Sequence, residues 1–210
     1  MQYAFTYYKL NTKLENTKMT TAIAPETMSG VQTWSLDAAH SNVEFAVKHL
    51  MIAKVKGRFS QVSGTLAADP ADPTRFELDV TIDAASIDTR QEQRDAHLRS
   101  ADFFNAETYP TINFVGKRIE GEGDEFKVTG DLTIKGITRE VTLDVTNEGT
   151  ATDPWGGSRI GFSARGKIDR RDFGLTWNQA LEAGGVLVGD EIRISIDVEF
   201  TAVASVQAAA

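Results

Sequence analysis

Apolar and polar residues alternate along most of the chain after Trp34, and this alternation restricts the fold more than any other feature. A period of two places every second side chain on the same face of an extended strand, so that one face can be buried while the other meets water. The clearest example is RFELDVTID, residues 75–83, in which Phe76, Leu78, Val80 and Ile82 share one face. The same pattern recurs in NVEFAVKHL, EFKVTGDLTIKG, EVTLDVT, RIGFSARGKID and EIRISIDVEFTA. We therefore expect about eight strands.

Turn-forming residues separate the strands at hairpin-like intervals. GEGD precedes Glu125, DPWGG precedes Arg159, and Lys135-Gly136 stands between two alternating segments as a tight hairpin turn. Many short strands at such spacing are typical of all-β proteins. The residues therefore predict a mainly β fold, either an antiparallel barrel or a sandwich.

One segment interrupts the alternation. DTRQEQRDAHLRS, residues 88–100, has no period of two and begins with a helix-start pattern, a capping box with Thr89 as the N-cap and Glu92 three residues later. Asp95 and Arg99 stand four residues apart and are expected to pair on the helix surface. We therefore predict a short helical crossover between two strands.

The end of this crossover allows two interpretations. Arg94, Asp95 and His97 offer charged groups for a catalytic or metal site, whereas Phe103 and Phe104 are suited to closing an apolar interior. Exposed paired phenylalanines on a charged protein would favour aggregation, so we expect both rings to turn inward at one end of the barrel. The three polar residues are then expected to form structural hydrogen bonds that hold the crossover.

The composition is that of a single soluble domain. The chain has 210 residues, a formal net charge of −8 and no cysteine. The negative charge opposes binding to nucleic acid and to anionic membranes, although a local basic patch is compatible with it. No apolar run is long enough for a membrane span. Residues 1–30 contain no secretory signal core and are interpreted as a flexible leader, with Met19 as an alternative start, ahead of a cytoplasmic domain over residues 31–205.

Residues suited to catalysis or metal binding are sparse. The three histidines, His40, His49 and His97, are separated in the sequence, and no His-Glu-x-x-His arrangement for zinc is present. There is also no Gly-x-Ser-x-Gly elbow and no Gly-x-x-x-x-Gly-Lys phosphate loop. We therefore expect no catalytic residues, no metal and no cofactor, and we expect the histidines to form structural polar contacts.

Two short basic segments are the remaining candidates for nucleic-acid binding. KVKGR spans residues 54–58, and DRRD, residues 169–172, carries its own aspartates. Both are typical of solvated turns with local ion pairs, so no nucleic-acid partner is expected.

Four longer blocks occur in order between about Trp34 and Val203. They are WSLDAAHSNVEFAVKHLMIAKVKGRF, IDAASIDTRQEQRDAHLRSADFFNAETYPTINF, GDLTIKGITREVTLDV and IDRRDFGL. Any one of them is a modest signal, but together the chain resembles the YceI-like family of lipocalin-like, polyisoprenoid-binding proteins. Secreted members of that family carry a signal peptide that this sequence lacks, so a periplasmic location does not follow from the resemblance.

The resemblance implies an extended antiparallel eight-stranded lipocalin-like barrel with a short helical crossover as a cap. It also implies an apolar tunnel for a long-chain isoprenoid or similar amphiphilic lipid. An eight-stranded barrel can hold one small ligand or be filled by side chains, and the residues alone leave both outcomes open. Burial contributes about 0.8 kcal/mol per methylene, whereas association costs roughly 4–15 kcal/mol. A ligand held by apolar contact therefore needs on the order of fifteen or more carbons.

The strand faces and the aromatic pair give the predicted pocket lining: Phe45, Val47, Phe76, Leu78, Phe103, Phe104, Phe114, Phe162 and Ile194. The expected function is non-catalytic binding, transport or storage of the lipid, without stable membrane insertion. Two alternatives remain: an enzyme that uses the barrel as its substrate pocket, with a histidine-based metal site, and a purely structural stress-response module. The oligomeric state stays open, a homodimer included.

Overall fold

Strands make up most of the part of the chain that the structure describes. The computed structural model describes residues 31–69, 72–181 and 185–203. The leader predicted for residues 1–30 lies outside these ranges, as do the last two residues of the predicted domain, 204 and 205.

Eleven strand segments, one α-helix and three short 3₁₀ helices occur within these ranges. The strands are β1 (Gln32–Leu36), β2 (Asn42–His49), β3 (Ala53–Phe59), β4 (Val62–Asp69), β5 (Asp72–Asp83), β6 (Ile87–Asp88), β7 (Thr111–Glu122), β8 (Glu125–Ile134), β9 (Ile137–Thr152), β10 (Ser158–Asp169) and β11 (Val188–Ala202). Helix α1 spans Glu92–Arg99, and the 3₁₀ helices span Ala38–His40, Ala84–Ser86 and Arg170–Phe173.

The sheet closes into a barrel of eight antiparallel strands, which confirms the predicted fold. The strand order is β1-β4-β5-β7-β8-β9-β10-β11, and β1 also pairs with β11 to close the ring. β11 is long enough to pair with two segments in succession, because Phe200 lies opposite Leu36 of β1 and Ile196 lies opposite Val43 of β2. The segments β2, β3 and β6 therefore continue β1, β4 and β5 beyond a break in each.

The two ends of the barrel are covered by different elements. The hairpin end carries the turns that follow β7 and β9, at residues 123–124 and 153–157. The helix end carries α1, the β8–β9 turn at residues 135–136, the β2–β3 turn and the segment between β10 and β11. The predicted helical cap thus lies at one end only.

The β8–β9 turn follows directly from its sequence. Ile134 lies opposite Ile137, so Lys135 and Gly136 alone form the connection. Their φ angles are 51° and 74°, which is the pair of left-handed conformations that a type I′ hairpin turn needs. The tight hairpin predicted from Lys135-Gly136 is confirmed.

Helix α1 forms where predicted, but its predicted start is wrong. Gln91 is the N-cap, and its side chain accepts a hydrogen bond from the backbone N–H of Arg94. Thr89 instead donates its backbone N–H to the buried carboxylate of Asp95 at 2.9 Å, and its hydroxyl donates to the same oxygen. Arg94 completes the arrangement by donating to the hydroxyl and the carbonyl of Thr89 at 2.6 and 2.7 Å. The predicted cap was therefore displaced by a hydrogen-bond network among residues 89–95, in which Thr89 and Asp95 are buried.

The predicted pair of Asp95 and Arg99 on the helix surface is also wrong. Arg99 donates to the backbone carbonyls of Ala85 and Ile87 at 2.7 and 2.8 Å, and so ties α1 to the end of the β5–β6 strand. Because Ile87 is fully buried and a buried carbonyl needs a donor, this contact fixes the crossover more firmly than a surface ion pair would. The charged half of the segment holds the helix in place.

Candidate ligand-binding cavity

The interior of the barrel contains a cavity of about 810 Å³. This volume lies within the range of roughly 300–1,000 Å³ that is usual for small-molecule sites. Its wall is formed mainly by the inward, apolar faces of the alternating strands. All nine residues of the predicted lining lie on this wall: Phe45, Val47, Phe76, Leu78, Phe103, Phe104, Phe114, Phe162 and Ile194. The assigned strand faces are therefore the ones that surround the cavity, and contact with a ligand remains a prediction.

Inward-facing glycines leave room for aromatic rings to lie flat against the wall. Gly57 lies under Phe45, Gly116 under Phe76 and Gly130 under Phe114. A β-carbon on Gly57 would come within 2.4 Å of the Phe45 ring, a distance that forces the ring away from the wall. Glycine in a strand interior often marks such a close approach. These pairs preserve open space that larger residues at the glycine positions would fill.

Aromatic rings cluster at the helix end of the cavity. The ring of Phe104 packs edge-on against Phe59 at 5.8 Å between centroids, and Phe59 in turn contacts Phe45 at 5.7 Å. Phe103 is buried and lies 5.3 Å from the ring of Trp177. The aromatic pair thus turns inward at one end of the barrel, with Phe103 in the core and Phe104 at the cavity wall.

His97 belongs to this aromatic group. Its ring packs edge-on against Phe103 at 5.1 Å and against Trp177 at 4.7 Å, and one ring nitrogen hydrogen-bonds to Asp102 at 2.9 Å. The Asp102 side chain is 55% exposed, so loss of the histidine would leave no buried polar partner. Its structural contribution comes from ring packing.

The hairpin end has its own aromatic group and most of the polar wall. Phe162 contacts Phe126 at 6.4 Å and Phe200 at 6.2 Å. Polar side chains join the cavity wall close to the same end: Asp69, Glu122, Asn147 and Thr150. Two of these four carry carboxylates, and Asp69 also pairs with Arg75 at 3.2 Å. Glu44 on β2 and Arg170 after β10 also belong to the wall. The cavity is therefore mainly apolar along its length, with most of its polar groups toward the hairpin end.

Sequence reasoning missed the segment that follows β10. Arg170, interpreted as part of a solvated turn, is only 4% exposed and donates to the carbonyls of Gly189 and Trp177 and to the carboxylate of Asp190. It also donates to the carbonyl of Leu175. The expected neutralisation of DRRD by its own aspartates is wrong for this arginine, because its partner is Asp190 on β11. The apolar residues at 173, 175 and 177 were the available signal, since such a run after a charged turn is unusual for a solvated loop.

The outer surface carries a compact ion network around Arg159. This arginine donates to Asp37 at 2.9 Å, to Asp153 at 3.0 Å and to Glu199. Asp37, His40 and Glu199 also form the one group within the described ranges whose ligand atoms would be close enough for a metal ion. Both carboxylates already accept from the guanidinium, however, and a fixed positive charge at that position opposes a second cation. The geometry fits an ion network better than a metal site.

Acid is expected to weaken this network through Asp37. Hydrogen bonds from His40 and then from Arg159 lower the pKa of Asp37 from 3.8 to about 2. A carboxyl group with a lower pKa in the folded state stabilises the fold above its unfolded pKa of about 3.9, and this contribution disappears as the pH falls toward about 2. We expect Asp37→Asn to remove at most about 2 kcal/mol near neutral pH, and less where water screens the site.

Thermal melts from neutral pH to about pH 2 test this prediction. Wild type should lose stability between about pH 4 and pH 2 more steeply than Asp37→Asn does. Asp197→Asn is the matched control, because that exposed carboxylate forms no ion pair with any residue the structure describes. Parallel curves for wild type and Asp37→Asn would show that the network does not contribute to acid sensitivity.

Comparison with known proteins now identifies the domain. Residues 34–200 match the model of the YceI-like domain. The chain belongs to the YceI-like family. UPF0312 protein SAS2572 of Staphylococcus aureus (strain MSSA476) is 43% identical over 169 residues, which cover 80% of this chain and 96% of the relative. The region matched by the family model, residues 34–200, contains the whole barrel apart from the outermost residues of β1 and β11.

Solved structures of YceI-like and related proteins share the barrel. BcnA of Burkholderia cenocepacia superimposes with a TM-score of 0.68 at 28% identity, over 78% of this chain and 98% of that one. The YCEI protein of Campylobacter jejuni gives 0.63 at 39% identity, over 73% and 88% of the two chains. A polyisoprenoid binding domain from Saccharophagus degradans gives 0.59 at 18% identity, over 81% and 98%, and so shares the fold.

The YceI-like barrel has only one α-helix in the described residues, and it is short. No helix in that part of the chain has the length and apolar content needed to cross a bilayer.

Proposed function

We propose that this YceI-like barrel binds one long-chain isoprenoid or similar amphiphilic lipid in its interior, and that it carries or stores the lipid without chemical change. The observation behind the proposal is the continuous apolar wall around a cavity of about 810 Å³. Such a wall offers burial of a long hydrocarbon chain, at about 0.8 kcal/mol per methylene. A domain with the same fold from Saccharophagus degradans is a polyisoprenoid binding domain, which supports the same class of ligand.

The distribution of polar groups supports one orientation of the lipid. The helix end is lined by aromatic rings such as Phe59 and Phe104, which suits the apolar tail. The hairpin end adds Glu122, Asn147 and Thr150 to the wall, which suits the polar head group. Because Glu122 is acidic, a phosphate head group would meet a charge of its own sign there. A neutral head group that accepts or donates hydrogen bonds fits better.

Binding without catalysis is supported by the groups that face the cavity. No histidine, serine, tyrosine or lysine lies on the described part of its wall. Of its acidic groups, Asp69 and Glu122 stand toward the hairpin end, and Glu44 on β2 accepts a hydrogen bond from the side chain of Asn42 at 3.0 Å. Arg170 is engaged by Asp190 and backbone carbonyls. General acid–base or nucleophilic chemistry needs a reactive group within hydrogen-bonding distance of the substrate, and between its two ends the described wall offers a single carboxylate, that of Glu44.

Native mass spectrometry of protein purified without detergent tests the proposal. We expect one lipid per barrel, in the mass range of prenyl or long fatty chains. The protein is then stripped of lipid and offered a polyprenol and the polyprenyl phosphate of the same chain length. The alcohol should bind at least about tenfold more tightly, because like charges across an interface cost several kcal/mol.

Three results would count against these proposals in different ways. Failure to retain or rebind any long-chain lipid would remove the binding function. Preference for the phosphate would leave lipid binding intact but reverse the assignment of the head-group end. Conversion of the lipid during incubation would instead favour the alternative of an enzyme that uses the barrel as its pocket.

A further inference from the structure

The turn between β2 and β3 presents three consecutive apolar side chains to solvent. Leu50, Met51 and Ile52 are 37%, 51% and 87% exposed. Single exposed apolar residues are ordinary, but a contiguous exposed group marks a surface that meets another apolar phase. The turn stands at the helix end, beyond the last pair of the hairpin, His49 opposite Ala53.

The backbone conformation of this turn is unfavourable for the large side chains that it carries. Leu50 and Met51 have φ angles of 50° and 61°, and the N–H of Ile52 donates to the carbonyl of His49 at 3.2 Å. Two left-handed residues in succession define a type I′ turn, for which Asn-Gly is the preferred pair and bulky side chains are unfavourable. Large apolar side chains therefore occupy this turn at a cost to folding, which points to a use for them outside the fold.

Three lysines lie on the two strands that flank the apolar turn. Lys48 lies directly opposite Lys54 across the hairpin, and Lys56 follows on the same exposed face. Like charges in directly opposed positions destabilise a strand pair. None of the three lysines forms an ion pair with a residue the structure describes. The nearest carboxylates on β11, Asp190 and Glu191, are already paired with arginines and with Lys167.

We propose that the β2–β3 turn docks reversibly onto the surface of an anionic lipid bilayer. The side chains of Leu50, Met51 and Ile52 enter the interface, and Lys48, Lys54 and Lys56 contact the acidic head groups. Apolar anchors combined with juxtaposed lysines are the features that hold peripheral proteins at such surfaces. The formal net charge of −8 opposes adsorption by other faces, so the basic turn also sets the orientation.

This docking goes beyond lipid binding in the cavity and does not depend on it. Its position is nevertheless relevant, because Val47 at the base of the turn and the neighbouring Val188 both line the cavity. A protein docked through this turn presents the helix end of the barrel to the bilayer. The hairpin end, with its polar wall, faces away.

A labelling experiment tests the orientation. The chain contains no cysteine, so Ile52→Cys and Trp155→Cys each give a single site for an environment-sensitive fluorophore. Trp155 is 86% exposed at the hairpin end and is the matched control. With vesicles of phosphatidylcholine and phosphatidylglycerol, the probe at position 52 should shift to the blue and the probe at position 155 should not. Equal shifts, or a shift at position 155 alone, would overturn the proposal.

Two further variants separate the apolar and charged contributions in vesicle co-sedimentation. Leu50→Asn/Met51→Gly supplies the preferred turn residues, so its melting temperature should be maintained or raised while binding to the mixed vesicles is lost. Lys48→Gln/Lys54→Gln should bind roughly 25-fold more weakly, at about fivefold per lysine. Lys127→Gln, on the exposed face of β8 and paired with Asp144, is the control and should bind as wild type does.

The same variants distinguish membrane docking from cavity binding and from self-association. Lipid content measured by native mass spectrometry should be unchanged in both turn variants, so that failure of docking and failure of cavity binding remain separate results. Wild-type binding to pure phosphatidylcholine as tight as to the mixed vesicles would remove the role of the lysines. Unchanged vesicle binding of Leu50→Asn/Met51→Gly, together with loss of a wild-type dimer in gel filtration, would assign the turn to contact between two copies of the chain.

Discussion

Replacing both Phe103 and Phe104 by alanine is expected to destabilise the protein more than any surface substitution. A buried phenylalanine replaced by alanine typically costs about 3–5 kcal/mol. Phe103 should reach that range because it is buried against Trp177 and His97. Phe104 is only partly buried and should cost less, since its ring faces the cavity and packs against Phe59. The double variant therefore approaches the total stability of an ordinary domain, about 5–15 kcal/mol.

The single variants separate two roles within this pair. Phe103→Ala should mainly lower the melting temperature of lipid-free protein. Phe104→Ala should mainly lengthen the cavity and shift the bound lipids toward longer chains in native mass spectrometry. Trp155→Ala is the control, since this larger ring is almost fully exposed and should change stability by no more than about 0.5 kcal/mol. If neither melting temperature nor lipid distribution changes in the phenylalanine variants, the rings do not close the barrel.

The success of the sequence prediction at the strands has a local cause. In a strand the side-chain direction alternates with every residue, so a segment such as 75–83 assigns its own buried face without knowledge of its neighbours. Phe76 and Leu78 are on the cavity wall for this reason. The β8–β9 turn was predictable for the same reason, because its conformation depends only on the φ angles of Lys135 and Gly136.

The failures occurred where side-chain hydrogen bonds that the sequence pattern does not reveal decide the conformation. Thr89 has the properties of a helix cap, yet both of its donors are taken by the buried carboxylate of Asp95. Arg170 resembles a surface residue in a charged turn, yet its acceptors come from residues 175–190, which show no periodic pattern. Propensity is a weak prior that such side-chain hydrogen bonds override.

The size of the interior was also beyond sequence reasoning. Alternation shows which side chains face inward but not whether they meet across the barrel. The space depends on pairs such as Gly57 and Phe45, in which a missing β-carbon lets the ring lie against the wall. A glycine in a strand pattern indicates a close approach, but the residue that approaches it belongs to another strand and was not identifiable beforehand.

Placing a carboxylate at Phe45 is expected to abolish lipid retention. Phe45 lines the cavity, covers Gly57 and contacts Phe59 at 5.7 Å. An ionised aspartate there would face an apolar wall without a partner, which costs several kcal/mol, and it would replace a ring that contacts the lipid tail. We expect Phe45→Asp to lose bound lipid at neutral pH in native mass spectrometry and to unfold at a lower temperature.

The neighbouring position supplies the control, because Ala46 belongs to the opposite face of the same strand. Ala46 lies opposite Lys56 on β3 and Arg193 on β11, so Ala46→Asp places the same charge between two cations at the surface. This variant should keep both its lipid and its stability.

Acidic pH provides a second test that does not require Phe45→Asp to fold well at neutral pH. A carboxyl group in an apolar wall has a raised pKa, so at about pH 5 its protonated form should predominate and lipid retention should increase. Loss of lipid in Ala46→Asp together with full retention in Phe45→Asp would mean that the outer face of β2, and not the cavity, holds the ligand.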